Sequence, residues 1–292
     1  ENFLVQMPSS NLQIDTLAAN YQLGEKGLVP GSLAYFGKIS KTVITPSDLR
    51  CFDPSLKNFQ RPISLVTSLQ GTDQMLHVPE LLVATREKDI DINVNGWLEH
   101  WDKRPAWHLQ MNQVALSEAS IDFLSKIFLL PEELTRIGNL QMNGVFDRDQ
   151  QGETMLKSLI HSGAGDVDVE MAMNASQQFK GTVGTQGINL GQILANEQFG
   201  QVATQLDLEG QWQRQQKPEV QVEGTIAQFN YNGYSFGNMT FNGRYAQEAI
   251  SGTFDIDDPN LTAQLNGEIK DDIFEENAQK DRKSTRLNSS HT

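Results

Sequence analysis

The chain has 292 residues, 38% of them hydrophobic, with 23 glycines, a mean hydropathy of −0.44 and a formal charge of −14 from 23 basic and 37 acidic side chains. That length can bury a sizeable core, but so lean an apolar fraction suits a thin, sheet-rich body with much exposed surface. The acidity makes nucleic acid and anionic lipid headgroups poor partners for the surface as a whole, the lone Cys51 excludes an intrachain disulfide or thiolate metal site, and the longest apolar runs, such as Ile127-Phe128-Leu129-Leu130, fall far short of the roughly 20 residues a spanning helix needs.

Residues 1–45 are expected to be a partial β repeat. A short helix is predicted over 46–58: Thr45 can cap it, Pro46 suits its first position, Asp48 completes a capping box, and Leu49, Phe52, Leu56 and Phe59 recur at helical spacing, with Pro54 as an interruption. Strict alternation follows in Ile90, Ile92, Val94, Gly96 and Leu98, with Asp91, Asn93 and Asn95 between them, which places successive side chains on opposite faces of a sheet. A second helix is predicted over 117–129, capped by Ser117, with Ile121, Leu124 and Phe128 on one face and Pro131 ending the run. Val167, Val169, Met171 and Met173 form the next alternating set. The third helix, over 189–197, has Asn189 as its cap, a cluster of Leu190, Ile193 and Leu194, and Gly200 as its stop.

Beyond it the alternation dominates. The sets are Val202, Thr204, Leu206, Leu208; Met239, Phe241, Gly243, Tyr245; Ile250, Gly252, Phe254, Ile256; and Leu261, Ala263, Leu265, Gly267, Ile269. Turn formers such as Asn232-Gly233, Gly237-Asn238 and Asp257-Asp258-Pro259-Asn260 lie between them, so antiparallel meanders are the economical topology. The predicted helices begin about 70 residues apart, and each leads to a strand ending in a similar phrase: Ser68-Leu69-Gln70-Gly71, Gln141-Met142-Asn143-Gly144 and Asp207-Leu208-Glu209-Gly210. This divides the chain into units of helix plus β-meander at 46–116, 117–187 and 188–270, each needing its neighbours to bury its core, followed by a disordered tail at 271–292. Within that tail, residues 281–292 resemble a translated sequencing adapter and are expected to pack on nothing; without them the charge is −16. The chain opens at Glu1 without a Met, so both natural ends are expected to lie outside it.

No residues assemble into catalytic, cofactor or metal motifs. Glu99-His100-Trp101-Asp102 with His108 matches no ligand spacing and reads as a solvated hairpin. Asp255-Ile256-Asp257-Asp258-Pro259-Asn260 lacks the glycine and distal glutamate of a calcium loop. Asp147, Asp149 and Glu153 share one polar turn, and there is no nucleophile elbow, phosphate-binding glycine loop or dinucleotide fingerprint. The chain is therefore not expected to be an enzyme. Met111, Met142, Met171, Met173 and Met239 fit either a core or a groove for variable apolar cargo.

Pro46-Ser47-Asp48-Leu49-Arg50-Cys51-Phe52, with Leu56, Phe59 and the strand ending at Gly71, resembles the helix and β units of TamB/AsmA-like translocation and assembly proteins of diderm bacteria. Ile188-Asn189-Leu190-Gly191-Gln192-Ile193-Leu194, running into Phe199-Gly200-Gln201-Val202 and on to Gly210, resembles the same family's repeating phrase; the likeness covers roughly residues 35–270. The resemblance implies an elongated, twisted antiparallel β-sheet trough with an apolar inner surface, crossing the periplasm from an inner-membrane anchor upstream of Glu1. It further implies phospholipid movement to the outer membrane and protein assembly there beside an outer-membrane barrel partner. The residues alone lead to a compatible expectation, because an open sheet with one apolar face must cover it by folding over, by helices, or with something apolar that is not protein. The candidate lining for phospholipid acyl chains is Val202, Leu206, Leu208, Met239, Phe241, Ile250, Phe254, Ile256, Leu261, Leu265 and Ile269. The alternative reading is a β-rich surface adhesin or structural cell-envelope protein, which should keep rungs of constant length. A transmembrane barrel fits less well, since Trp97, Trp101, Trp107 and Trp212 form no repeating girdle.

Overall fold

A computed structural model of the chain describes residues 3–128, 131–212, 219–246 and 249–270. The expectation for 271–292, adapter-like stretch included, lies outside the described residues. The protein is mainly β: an open, twisted antiparallel trough with a few short helices.

The amino end contributes β1 (Phe3–Gln6), β2 (Asn11–Ile14) and β3 (Thr16–Asn20), with a small separate ribbon of β4 (Leu23–Gly24) and β5 (Gly27–Leu28). The long strands then follow as β6 (Ala34–Ile44), β7 (Ile63–Thr72), β8 (Met75–Thr85), β9 (Ile90–Glu99), β10 (Ala106–Leu116), β11 (Leu140–Arg148) and β12 (Thr154–Ser162). They continue as β13 (Gly165–Met173), β14 (Gln178–Asn189), β15 (Phe199–Gln211), β16 (Glu219–Tyr231), β17 (Tyr234–Ala246), β18 (Ala249–Asp258) and β19 (Leu261–Lys270). From β6 onward every strand pairs antiparallel with the next, and β2 and β3 both lie against β6. The period-two patterning accounts for this directly, because each run has one apolar and one polar side and most connections are short.

Three connections are longer and helical. Two 3-10 turns, Pro46–Leu49 and Pro54–Asn58, join β6 to β7; α1 (Glu118–Phe128) and α2 (Glu132–Thr135) join β10 to β11; α3 (Leu190–Leu194) joins β14 to β15. An even number of strands separates them, so the meander brings all three to the same rim. There they touch in file. The Phe59 and Phe123 rings meet edge to face at 5.0 Å, while Gln192 Nε2 donates to the Arg136 carbonyl at 2.7 Å and Arg136 Nη1 donates to the Ile193 carbonyl at 3.2 Å.

Ser117 Oγ accepts from the Ser120 amide and Asn189 Oδ1 from the Gln192 amide, so both act as caps. The first helical segment differs from expectation. Thr45 makes no side-chain cap; its hydroxyl donates to the Ser9 carbonyl, and the Asp48 carboxylate accepts from the Ser9 amide and the Ser10 hydroxyl. The amino-terminal strands thus take the groups a capping box would use, and the segment tightens to 3-10 geometry. The third helix stops at Ala195, which adopts a left-handed φ of 52°, and Gly200 lies within β15.

The core is thin. Among the described residues the buried apolar side chains are Phe59, Ile90, Ala106, Met111, Ile121, Ala164, Val202 and Met239. Strands pack extensively only on their hydrogen-bonded neighbours, and the helices only on one another and on β15, so no second layer of described residues spans the sheet.

Candidate functional site

Directly opposed residues in a sheet share a face, so register traces that face across the whole body. One line of partners runs Ile39, Thr67, Leu81, Val94, Met111, Gly144, Ser158, Val169, Val183, Leu206, Gly224, Phe241, Phe254 and Leu265, one from each strand from β6 to β19. No member is charged. The adjacent line on the opposite face runs Gln110, Val145, Lys157, Glu170, Thr182, Asp207, Glu223, Asn242, Thr253 and Asn266, polar at every position but one. The uncharged line therefore spans fourteen strands, and an opposing polar line accompanies it over the ten from β10 to β19.

The eleven candidate residues fall on this pattern. Val202, Leu206 and Leu208 lie on the apolar side of β15, with Gln201, Gln205, Asp207 and Glu209 exposed on the other. Met239 is buried between Ile226 and Ile256, and Phe241 is tilted against Phe254 with ring centroids 6.4 Å apart. Leu265 pairs with Phe254 and is 58% exposed, and Leu261 opposes Asp258 near the strand end. Ile250 and Ile269 are paired with each other through the backbone, and their side chains lie outside those described.

The face is also shaped. Two contiguous apolar depressions of about 430 and 450 Å3 share Phe146; the first is floored by Leu76, Val78, Leu81 and Trp107, the second by Leu156, Met171, Met173, Phe179 and Trp212. Glycines make the bends that hold them. A Cβ on Gly210 would stand 2.2 Å from the Glu219 carbonyl oxygen and 2.7 Å from the Phe179 ring, and one on Gly224 would stand 2.2 Å from the Gln205 carbonyl oxygen. Only a bare Cα lets the neighbouring strand and large side chains fold over at these points. Bulges such as those at Met111/Gln113 and Ala203/Thr204 add local twist.

The polar clusters singled out in the sequence serve local structure. His108 Nδ1 is paired with the Asp147 carboxylate on the polar face, beside Trp97, whose ring stacks on His108. His100 packs at the next turn, its amide donating to the Gln74 carbonyl and its ring contacting the Gln74 side chain. Asp149 accepts from the Glu153 amide and closes its own turn. Asp258 accepts from the Tyr234 hydroxyl and from the Gly237 and Asn260 amides. The Tyr234 hydroxyl, foremost, holds the Asp258 carboxyl below the usual range, and the same bond pushes the Tyr234 phenol up. No group of three His, Cys, Asp or Glu among the described residues is placed to hold a metal, and no helix among them is long and apolar enough to cross a membrane.

The sequence sets in β15 to β19 cover under half of the apolar face. The depressions lie mostly in the preceding strands, where the alternation of Thr154, Leu156, Ser158 and Ile160 was a readable signal. The part played by Trp107, Phe146 and Phe179 was not, since it depends on which strands are neighbours. No family model, curated protein or solved structure matches the chain.

Proposed function

We propose that the chain is part of a TamB/AsmA-like envelope protein whose trough carries phospholipid acyl chains from the inner toward the outer membrane, without a catalytic step. The observation that carries this reading is the continuous apolar face running through β6 to β19, over which no second layer of described residues lies. An exposed stripe of that extent is an aggregation hazard unless something apolar occupies it. An acyl chain laid there gains about 0.8 kcal/mol per buried methylene, and a wall of branched side chains, methionines and aromatic rings accepts chains of varied length. In this reading the helix-plus-meander units are repeats, an anchor upstream holds the protein to the inner membrane, the body stands in the periplasm, and an outer-membrane barrel partner receives the cargo or works beside it in protein assembly.

The test places a photo-crosslinking residue at Leu206 or Phe254 in cells and, for comparison, at Asp207 on the opposite face. Lipid adducts at the first two and not the third are expected. Equal labelling at all three, or none, would turn the assignment toward a structural envelope protein.

A further inference from the structure

Register puts two charged side chains on the apolar face of β6 to β19 among the described residues, Asp258 near the rim and Arg148 at the end of β11. Asp258 is satisfied by three donors. Arg148 is not. Its guanidinium lies 5.2 Å from the centre of the Trp107 ring, directly across the strand pair, and its one acceptor among the described residues is the Thr154 hydroxyl, 3.5 Å from Nη1. Arg148 Nε and Trp107 Nε1 are both shielded from solvent and meet no acceptor among the described residues. Buried donors without acceptors are costly, so two side by side call for an acceptor from elsewhere.

The same guanidinium forms one wall of a recess of about 350 Å3 at the loop rim, where Lys103 and Arg104 from the β9–β10 turn face the β11–β12 turn. Neither Lys103 nor Arg104 has an ion-pair partner among the described residues, and the carboxylate in the recess, Asp149, is engaged by the Glu153 amide. Three cations converge here on a chain whose net charge is −14. The recess lies close to the apolar depressions along β11, since Phe146, which both depressions share, precedes Arg148 by two residues, about 7 Å along the strand.

Resting on the trough reading, we infer that Lys103, Arg104, Arg148 and Trp107 form a seat for the anionic head of an amphiphile, a phosphate ester or a free carboxylate, whose chains run onto Phe146, Met173 and Phe179. A guanidinium stacked on an indole is preorganised for bidentate capture of such an oxyanion, and the indole N–H supplies a further donor. A free anion would use the same donors but none of the adjoining apolar surface.

Calorimetric titration of the 292-residue chain with dodecyl phosphate and with dodecyl maltoside, both below their micellar concentrations, isolates the head from a common tail. Dodecyl phosphate is expected to bind about tenfold more tightly or better. Both the Lys103→Gln/Arg104→Gln pair, on an exposed turn, and Arg148→Gln should bring its affinity down to that of the maltoside while leaving maltoside binding unchanged. Leu206→Asp with Phe254→Asp should weaken both ligands if they share the trough. Equal affinity of the wild type for the two amphiphiles, or equal losses for both in the cation variants, overturns the seat and leaves the trough standing. Inorganic phosphate binding as tightly as dodecyl phosphate would mark a free-anion site and overturn the amphiphile. Failure of both amphiphiles to bind overturns the seat and the trough together.

Discussion

Asp89→Asn should loosen α1 from the rim while leaving the far strands unaffected. Asp89 accepts from Thr85 Oγ1, from Ser120 Oγ at 2.9 Å and from Arg61 Nη1, while Arg61 also lies 5.3 Å above the Phe123 ring. Thr85 and Ser120 are 4% and 0% exposed, so their hydroxyls have no ready access to water. Hydrogen bonds from neutral donors to a charged group contribute about 1.5–3 kcal/mol each, but an asparagine oxygen retains part of both. The Arg61 pair, with side chains 40% and 23% exposed, adds only the few tenths to one kcal/mol of a solvated ion pair. A net local loss of about 2 kcal/mol follows, a factor of roughly 30 in the opening equilibrium. Hydrogen exchange should show it as lost protection at Ile121, Leu124 and Ser125, with β15 to β19 unchanged. The Thr85 hydroxyl, foremost, lowers the Asp89 carboxyl, so its stabilisation is fully present above the ordinary carboxylate range and fades as pH falls through the depressed folded value. The variant should lack that acid dependence. Unchanged protection in α1, or equal loss throughout the sheet, would refute the assignment of Asp89 as a local clasp.

Gly210→Val should lower stability by about 3 kcal/mol, because its Cβ would collide with a backbone oxygen as well as a ring; a urea midpoint matching the wild type would show that the bend is not required there. Asp258→Asn should abolish the acid-side loss of stability at the β17–β18 rim, which in the wild type sets in as pH falls through the lowered Asp258 value. In the same variant the Tyr234 phenol should titrate at lower pH than in the wild type, and an unmoved ultraviolet phenol titration would contradict the bond between them.

The parts of the fold that rest on local pattern were legible. Alternation from Ile90 to Leu98 and from Val202 to Leu208 gave the strands, and Ser117 and Asn189 announced their helices by side-chain chemistry acting within three residues. Where a distant segment intervened, the reading missed. Asp48 was assigned to a helix cap, but Ser9 and Ser10, some 38 residues away, hold its carboxylate. Gly200 looked like a helix stop, yet Ala195 accepts the left-handed conformation, and Gly200 takes its place in β15. The candidate lining was drawn from the strongest alternation, in β15 to β19, while the two apolar depressions are built mainly by β8 to β14, where threonine, serine and glycine dilute the periodicity. The Arg148 cluster was invisible in one dimension, since overall acidity argued against anionic ligands and only the pairing of Trp107 with Arg148 draws Lys103 and Arg104 to it.

A stack in which each strand grips only the one before and the one after has unequal strength in different directions. Tension along the stacking axis peels one ladder open bond by bond, whereas tension along the strands must shear a whole ladder at once, in β15 and β16 one of up to thirteen residues a side. The body is compliant lengthwise and stiff crosswise, and it can bend along its length without giving up strand pairing. Its reach is equally modular: each strand adds about 4.8 Å, so β6 to β19 span roughly 60 Å, and inserting or deleting one hairpin changes that reach by about 10 Å without asking any other strand to repack.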